Sequence, residues 1–256
     1  VVEARYVQHN PMTKEGSVGL AELFQRLSRT KPRVRIIRAF EDGDFVFAHV
    51  DYDFAEHVTG FEVFRFDDGF AVEHWDNLQP LVHTPNPSAR SMNDGPTELY
   101  DLDRTEANRA VVTEFVDAVL VGRQLAALDR FVADDLAEHH PIRGDGVGPL
   151  REALAAPAPD GGHRLRYDTT HRILAEGNFV LVAAEGAYET IPSAIYDLFD
   201  PWTGPLATRF AATFVLTAGV GVTLMTRSSR GDAEAVTSMR WRLVRRGLLL
   251  YGVGLV

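Results

Sequence analysis

The chain has 256 residues, 45% of them apolar and 24% charged, which places it among globular rather than disordered sequences. Its formal charge of −10 sets it against the phosphates of a nucleic acid, and residues 1–199 hold no basic stripe with interleaved aromatics. With no cysteine it is neither a small disulfide-stapled fold nor a thiolate metal site, and with no opening signal peptide it reads as a soluble, acidic, cytoplasmic protein.

The first element is Tyr6-Val7-Gln8-His9-Asn10-Pro11, polar and aromatic, ending on a proline that disfavours helix before it. After a loop at Glu15-Gly16-Ser17, the apolar residues Leu20, Leu23, Phe24 and Leu27 recur at helical spacing, predicting an amphipathic helix over 19–29. Residues 34–40 and 45–53 read as strands joined by a turn at Asp42-Gly43-Asp44. Residues 61–80 alternate large apolar and polar residues about a turn at Asp67-Asp68-Gly69, the pattern of a β-hairpin with one face in a core. Its polar positions (Glu62, Arg65, Glu73, His74, Asp76, Gln79) suit a pocket wall better than a solvated face. A run of three or four antiparallel strands is the expectation.

Residues 81–103, rich in Pro, Asn, Ser and Asp, read as a linker. An apolar stripe from Ala107 to Leu120 then predicts a strong helix ended by Gly122, and a second helix is expected over 125–136. From there the chain echoes its own start. The segment 131–141 resembles 1–11, with His139 over His9 and Pro141 over Pro11. Gly146 to Leu150 falls over Gly16 to Leu20, residues 175–180 over 41–46, and Tyr196 to Phe199 over Phe61 to Phe64. Four ordered matches at a period of about 130 residues imply duplicated domains: 1–80, a linker over 81–103, and 104–200. The helices that open the second copy have no counterpart in the first, whose own would lie upstream of Val1. The second copy breaks off at Asp200, where the first has Arg65. Residues 201–256 admit three readings: extra antiparallel strands, a membrane segment over 210–225 that is too short and polar to favour, or the product of a shifted reading frame.

The motifs Tyr-Val-Gln-His-Asn-Pro (6–11), Asp-Gly-Asp-Phe-Val-Phe-Ala-His (42–49), Phe-Glu-Val-Phe-Arg-Phe (61–66) and Glu-His-Trp-Asp-Asn-Leu-Gln-Pro (73–80) resemble the SnoaL-like polyketide cyclase branch of the NTF2-like superfamily. The resemblance covers 1–80 well, 105–199 more loosely, and 200–256 not at all. It implies an α+β class: two cone folds, each a curved, mostly antiparallel sheet with helices on its concave face. It also implies intramolecular aldol condensation or related lyase or isomerase chemistry, with no metal and no organic cofactor, on a small hydrophobic carbonyl compound. Pairing through sheet faces, as a pseudo-dimer within the chain or as a homodimer, is implied as well. No nucleic acid and no membrane is expected as partner.

Such chemistry needs a base to take a proton beside a carbonyl and donors for the resulting oxyanion. Strand parity puts Phe45, Phe47, His49 and Asp51 on one face, Glu62, Phe64 and Phe66 on one face, and Val72, His74 and Asp76 on one face. We group His9, His49, Glu62, His74 and Asp76 as the polar groups of one pocket. The resemblance implies an Asp–His acid–base pair, matched by Asp76 and His74, with His49 as a third catalytic candidate and Tyr6, His9, Glu62 and Phe64 as substrate contacts. Blander readings stand beside these: His9 bracing the bend before Pro11, His49 as a satisfied core residue, Glu62 and Arg65 as a surface pair, Trp75 as packing. A zinc site from His9, His49 and His74 lacks any close HxH or HExxH spacing. In the second copy only His139 and Asp197 match the set. The competing functions are a non-catalytic ligand-binding module and a dimerising scaffold.

Overall fold

The computed structural model describes residues 2–10, 13–30, 32–54, 56–158 and 161–187. The expectations for Asp197 and for residues 201–256 lie outside them. The described residues divide into two compact units, the first built on 2–81 with 95–102, the second on 82–94 with 103–187.

The first unit is a five-stranded sheet. In chain order its strands are β1 (Val2–Gln8), β2 (Arg33–Asp42), β3 (Phe45–Asp53), β4 (His57–Asp67) and β5 (Phe70–Pro80), with helix α1 (Gly16–Leu27) between β1 and β2. The order across the sheet is β1-β5-β4-β3-β2. Strands β2 to β5 are antiparallel neighbours, whereas β1 runs parallel to β5 and closes the edge that β5 would otherwise expose. The sheet is therefore mixed, with one strand more than the three or four predicted. The additional strand is β1, whose apolar residues Val2, Ala4 and Tyr6 recur at period two and whose end the sequence signals only as a bend before Pro11. Helix α1 begins at Gly16 rather than Gly19, since Gly16 takes a positive φ of 75° that starts it, and its last turn tightens into a 3-10 turn at Ser28–Thr30. Helix α1 packs against β1.

Turn chemistry sets the hairpins. Asp68 and Gly69 both have positive φ (46° and 77°), the two-residue turn that matches the twist of β4 and β5. The β2–β3 turn needs only Gly43 at positive φ (58°). Two strands carry one extra residue each: Val72 of β5, between the pairs Phe66–Ala71 and Arg65–Glu73, and Ile37 of β2, between Ile36–Val50 and Arg38–His49.

The segment expected to be a linker is divided between the units, 82–94 opening the second and 95–102 belonging to the first. It has no regular element before a 3-10 turn at Leu102–Arg104, yet residues 82–94 are tied down. Asn86, buried, donates to the carbonyls of Glu138 (2.7 Å) and His140 (3.3 Å) and accepts from the backbone N–H groups of Ser88 and Arg90. Arg90 grips Asp145 through two nitrogens at 2.7–2.9 Å. Helix α2 (Thr105–Phe115) runs into a π turn, Val116–Val121, before Gly122. The helix expected over 125–136 is only a 3-10 turn (Leu125–Ala127) and one α-turn, α3 (Leu128–Phe131). Beyond it Asp134 and Asp135 lie in a turn, and Leu136 is buried without continuing the helix. Helix α4 (Val147–Ala155) precedes a hairpin of β6 (Arg166–Glu176) and β7 (Phe179–Ala187). Val112, Phe115, Val116, Val119, Leu120, Leu128, Leu150 and Leu154, all below 8% exposed, form the core that joins these helices to Tyr167 and Val182 of the hairpin.

Local geometry repeats between the two units. The β6–β7 turn again uses a glycine at positive φ (Gly177, 57°), and β6 carries two extra residues, Asp168 and His171. From Gly43 to Gly177 and from Ile37 to His171 the separation is the same 134 positions, while Asp168 has no counterpart in β2. Each unit also starts a helix at a glycine of positive φ, Gly16 and Gly146. Gly43→Ala is expected to cost about 1–2 kcal/mol, and since a Cβ there would meet nothing within 4 Å, the whole cost is backbone strain. Urea denaturation checks it, and a loss below about 0.5 kcal/mol would contradict the turn assignment.

Candidate functional site

Register decides which candidates meet. Pairs directly opposite in adjacent strands share a face. Glu62 of β4 lies opposite Asp76 and Phe64 opposite His74 of β5; Ala48 of β3 lies opposite Glu62, and Gln8 of β1 beside His74. One face of the sheet therefore gathers Tyr6, Gln8, Tyr52, Glu62, Phe64, His74 and Asp76. The other gathers Thr59, Phe61, Glu73 and Trp75 with His49 and Asp51.

On the first face His74 is buried against the ring of Phe64, stacked at 4.3 Å between centroids, with Tyr6 stacked further off at 6.4 Å. Its Nδ1 lies 2.9 Å from Oε1 of Gln8. That same oxygen accepts from the backbone N–H of Asn10 at 3.0 Å, which fixes it as an acceptor, so the histidine must donate. Its Nε2 lies 2.5 Å from Oε2 of Glu62, a second donation, to a carboxylate. Both ring nitrogens donate, so His74 is an imidazolium. Burial works against that charge, but the hydrogen bond and charge of Glu62, aided by the charge of Asp76, outweigh it and raise the pKa above the ordinary histidine value. The other oxygen of Glu62 accepts from the hydroxyl of Tyr52 at 2.7 Å.

Asp76 differs from Glu62. Among the described residues its one side-chain hydrogen bond is from the amide of Asn10 to Oδ2, at 2.5 Å. Burial, then the charge of Glu62, pushes its pKa up to about 6, with His74 and Asn10 pulling the other way. A carboxyl poised there is a base near neutral pH, and it is partly exposed where Glu62 and His74 are buried. Tyr6 is 1% exposed, and burial, then the charges of Glu62 and Asp76, raises its pKa well above the ordinary phenol value.

Two predicted members are elsewhere. His49, 1% exposed, faces the opposite side, accepting at Nδ1 from Arg38 (3.2 Å) and meeting the hydroxyl of Thr59 with Nε2 (2.9 Å). Since that hydroxyl also donates to the carbonyl of Val50 at 3.2 Å, Nε2 is the donor. His9 is exposed, bonded to Glu73 at 2.9 Å and stacked on Trp75 at 4.8 Å, 5° from parallel. The five-member grouping predicted from parity is thus corrected: Glu62, His74 and Asp76 share one face of the sheet with Tyr6 and Phe64, and His9 and His49 do not. Parity within each strand was right; the register of β3 against β4 and the strand character of β1 overturn the grouping. The Glu62–Arg65 surface pair is corrected as well, since Arg65 pairs with Glu73 at 2.9 Å on the far face. On that face His57 and Arg35 bond Asp51 at 2.5 and 2.7 Å; burial would raise the pKa of Asp51, but these two partners bring it below the usual range.

Sequence reasoning missed Gln8, Asn10 and Tyr52. The signal was period two: Tyr6, Gln8 and Asn10 alternate with Val7 and His9, which is a strand and its continuation.

As for metals, the three predicted histidines do not share a face. Glu62, His74 and Asp76 bring donor atoms within 4.8 Å of one another. With both ring nitrogens donating, however, His74 has no lone pair to offer, and an ion would have to break its bonds to Glu62 or Gln8.

In the second unit, His139 bonds the carbonyl of Ser91 (3.0 Å) and pairs with Asp94 (2.5 Å), so it serves the anchoring of 82–94. Beside it Glu138, buried, bonds Arg143 (3.2 Å), and burial, then the charge of Arg143, lowers His140 to about 3 and keeps it neutral. An open groove of about 610 Å³ runs along α2 past Arg109, Thr113, Glu114 and Asp117 and includes none of the predicted residues.

No family model matches the sequence, and no curated protein is significantly similar to it. Among the solved structures that resemble it in part are these two. TsrD from Streptomyces laurentii shares 19% identity at a TM-score of 0.28, over 30% of this chain and 70% of that one. An NTF2-like protein of unknown function from Cytophaga hutchinsonii shares 16% at 0.27, over 31% and 70%. Scores of that size do not by themselves establish a common fold. Among the described residues no helix is long and apolar enough to cross a membrane.

Proposed function

We propose that the first unit is an NTF2-like domain of SnoaL-like type acting as an acid–base enzyme on a small carbonyl compound, of the aldol-cyclase, lyase or isomerase kind. The observation that carries the proposal is Asp76: a largely enclosed carboxyl raised to about 6, beside an imidazolium whose two protons are already committed. His74 is therefore not the base. Asp76 removes the proton next to the carbonyl and becomes the neutral acid, and the fixed positive charge of His74 offsets the negative charge that develops on the substrate. Protonated Asp76 then returns the proton to carbon or oxygen, according to the product. The repeated turn, bulge and helix-start geometry supports a duplicated architecture. We read the second unit as the other half of that duplication and assign it no catalytic role.

The test is hydrogen exchange. A panel of small ketones and aldehydes is incubated with the protein in deuterated buffer, and deuterium uptake beside the carbonyl is followed by NMR. Catalysed exchange is expected, with a rate that rises as the pH passes about 6, because the base works only when ionised. A panel that exchanges no faster than in buffer, or a rate that falls across that pH, overturns the reading.

A further inference from the structure

Asp76 and Asp51 stand on opposite faces of one sheet and are held in opposite ways. Burial would raise the pKa of Asp51, but its bonds to Arg35 and His57 bring it below the usual carboxylate range. Asp76 is met at Oδ2 by the side-chain amide of Asn10, a donor that carries no charge. A cation in that place would lock the carboxylate in its ionised form. The amide fixes its direction, while burial and the charge of Glu62 still carry the group up to about 6. Among the described residues the other oxygen of Asp76 has no side-chain partner.

Asn10 also reaches the imidazolium. Its backbone N–H donates to Oε1 of Gln8 at 3.0 Å, the same oxygen that receives the Nδ1 proton of His74 at 2.9 Å. The segment is held from both sides of the sheet. The backbone N–H of His9 donates to the carbonyl of His74 at 3.0 Å, extending the ladder of β1 on β5. On the far face the His9 ring lies on Trp75 and bonds Glu73. Pro11, next in sequence, disfavours the helical conformation at Asn10.

We propose that Asn10 is a positioning residue: its amide holds Oδ2 of Asp76 so that Oδ1 is the oxygen presented to the substrate, and its main chain keeps the Gln8 oxygen turned to His74. This rests on Asp76 as the base. A carboxyl free to rotate meets a C–H bond in many orientations, whereas one pinned at Oδ2 meets it in one. The titratable groups that act on Asp76 are Glu62 from β4, His74 from its own strand and the phenol of Tyr6 from β1. To these Asn10 adds a donor whose strength does not change with pH.

The test reads Asp76 itself. In the full chain, carbon-13 labelled at the aspartate carboxyls, the Asp76 signal is assigned by its loss in Asp76→Asn and titrated by NMR, and the ring nitrogens of His74 are followed in parallel. Asn10→Ala keeps the backbone N–H and removes the amide. Its Asp76 is expected to titrate about one pH unit above the wild-type value near 6, while the His74 midpoint moves by less than about half a unit. Asn10→Asp, of nearly the same size, sets a second carboxyl against Asp76 and lifts its titration further. Gln8→Leu is expected to lower the His74 midpoint by about one unit. On a ketone or aldehyde that wild type exchanges, the rate midpoint of Asn10→Ala follows the shift of Asp76, and kcat falls about tenfold or more with KM little changed. An Asp76 midpoint within about 0.3 units of wild type in Asn10→Ala overturns the proposal. So does a His74 shift in that variant as large as that of Asp76, which would mean that the end of β1 has come loose. If Asn10→Ala does not fold, Asn10→Asp decides by the same midpoint. A wild-type protein that exchanges nothing overturns Asp76 as the base and the role of Asn10 with it; exchange by wild type with an unshifted Asn10 variant overturns Asn10 alone.

Discussion

Asp76→Asn is expected to stabilise the protein at pH 8 while removing its activity. In the folded state the carboxyl has a pKa of about 6, against 3.8 for the ordinary group. Between those values the native state holds the proton and the unfolded state does not, so stability falls as pH rises through the window, and the full penalty persists above it. A displacement of that size corresponds to about 3 kcal/mol, and partial exposure of Asp76 trims this to about 1–3 kcal/mol. Asparagine keeps an oxygen for the Asn10 amide and carries no charge. In urea titrations the variant should match wild type near pH 4 and gain progressively to a plateau above pH 6. On any substrate identified by exchange its rate should fall by about 10²–10⁴. A variant less stable than wild type at pH 8 would show that the carboxylate is held favourably, and the base assignment would go with it. A site that gains stability when its reactive group is removed is one whose arrangement serves something other than folding.

Glu62→Ala works in the opposite direction. It leaves the imidazolium of His74 without its counter-charge and the hydroxyl of Tyr52 without its acceptor, both in the buried face. Breaking one side of such a pair costs about 3–5 kcal/mol. The pH dependence comes from His74, whose folded pKa lies above 6.5. A raised histidine contributes its full stability below the unfolded value and loses it as pH rises through the folded one. The cost of Glu62→Ala should therefore be greatest near pH 6 and shrink in alkaline buffer. A loss that grows as the pH rises from 6 to 9 would mean that His74 is not charged and does not donate through both ring nitrogens.

The strands β2 to β5 were legible in the sequence because each has period-two alternation and glycine-bearing turns, and those two signals agree. What sequence could not supply was register between strands joined by a longer connection. Strands β3 and β4 are joined through residues 54–56 rather than a two-residue turn, so nothing local states whether Glu62 faces Ala48 or His49. It faces Ala48, and His49 drops out of the site. β1 was hidden for a different reason. A parallel edge strand has no hairpin partner in sequence, and its closing His-Asn-Pro looks like a bend. The shortened helix near 128 reflects a compromise: Phe131 and Leu136 are both buried, but the intervening Asp134 and Asp135 favour a turn over continued helix.

The unpaired Val72 has a consequence out of proportion to its size. Were it paired as an ordinary strand residue, the register counted back from the tight turn at Asp68-Gly69 would set Glu62 opposite Trp75. The side of the sheet now holding His74 and Asp76 would then present Glu73, Trp75 and Asn77 instead. The chemistry of this protein thus depends on an interval as much as on any side chain. One codon removed at that point could be absorbed by straightening the ladder. One codon added there, with the bulge kept, would leave every functional residue in the gene and turn His74 and Asp76 the wrong way.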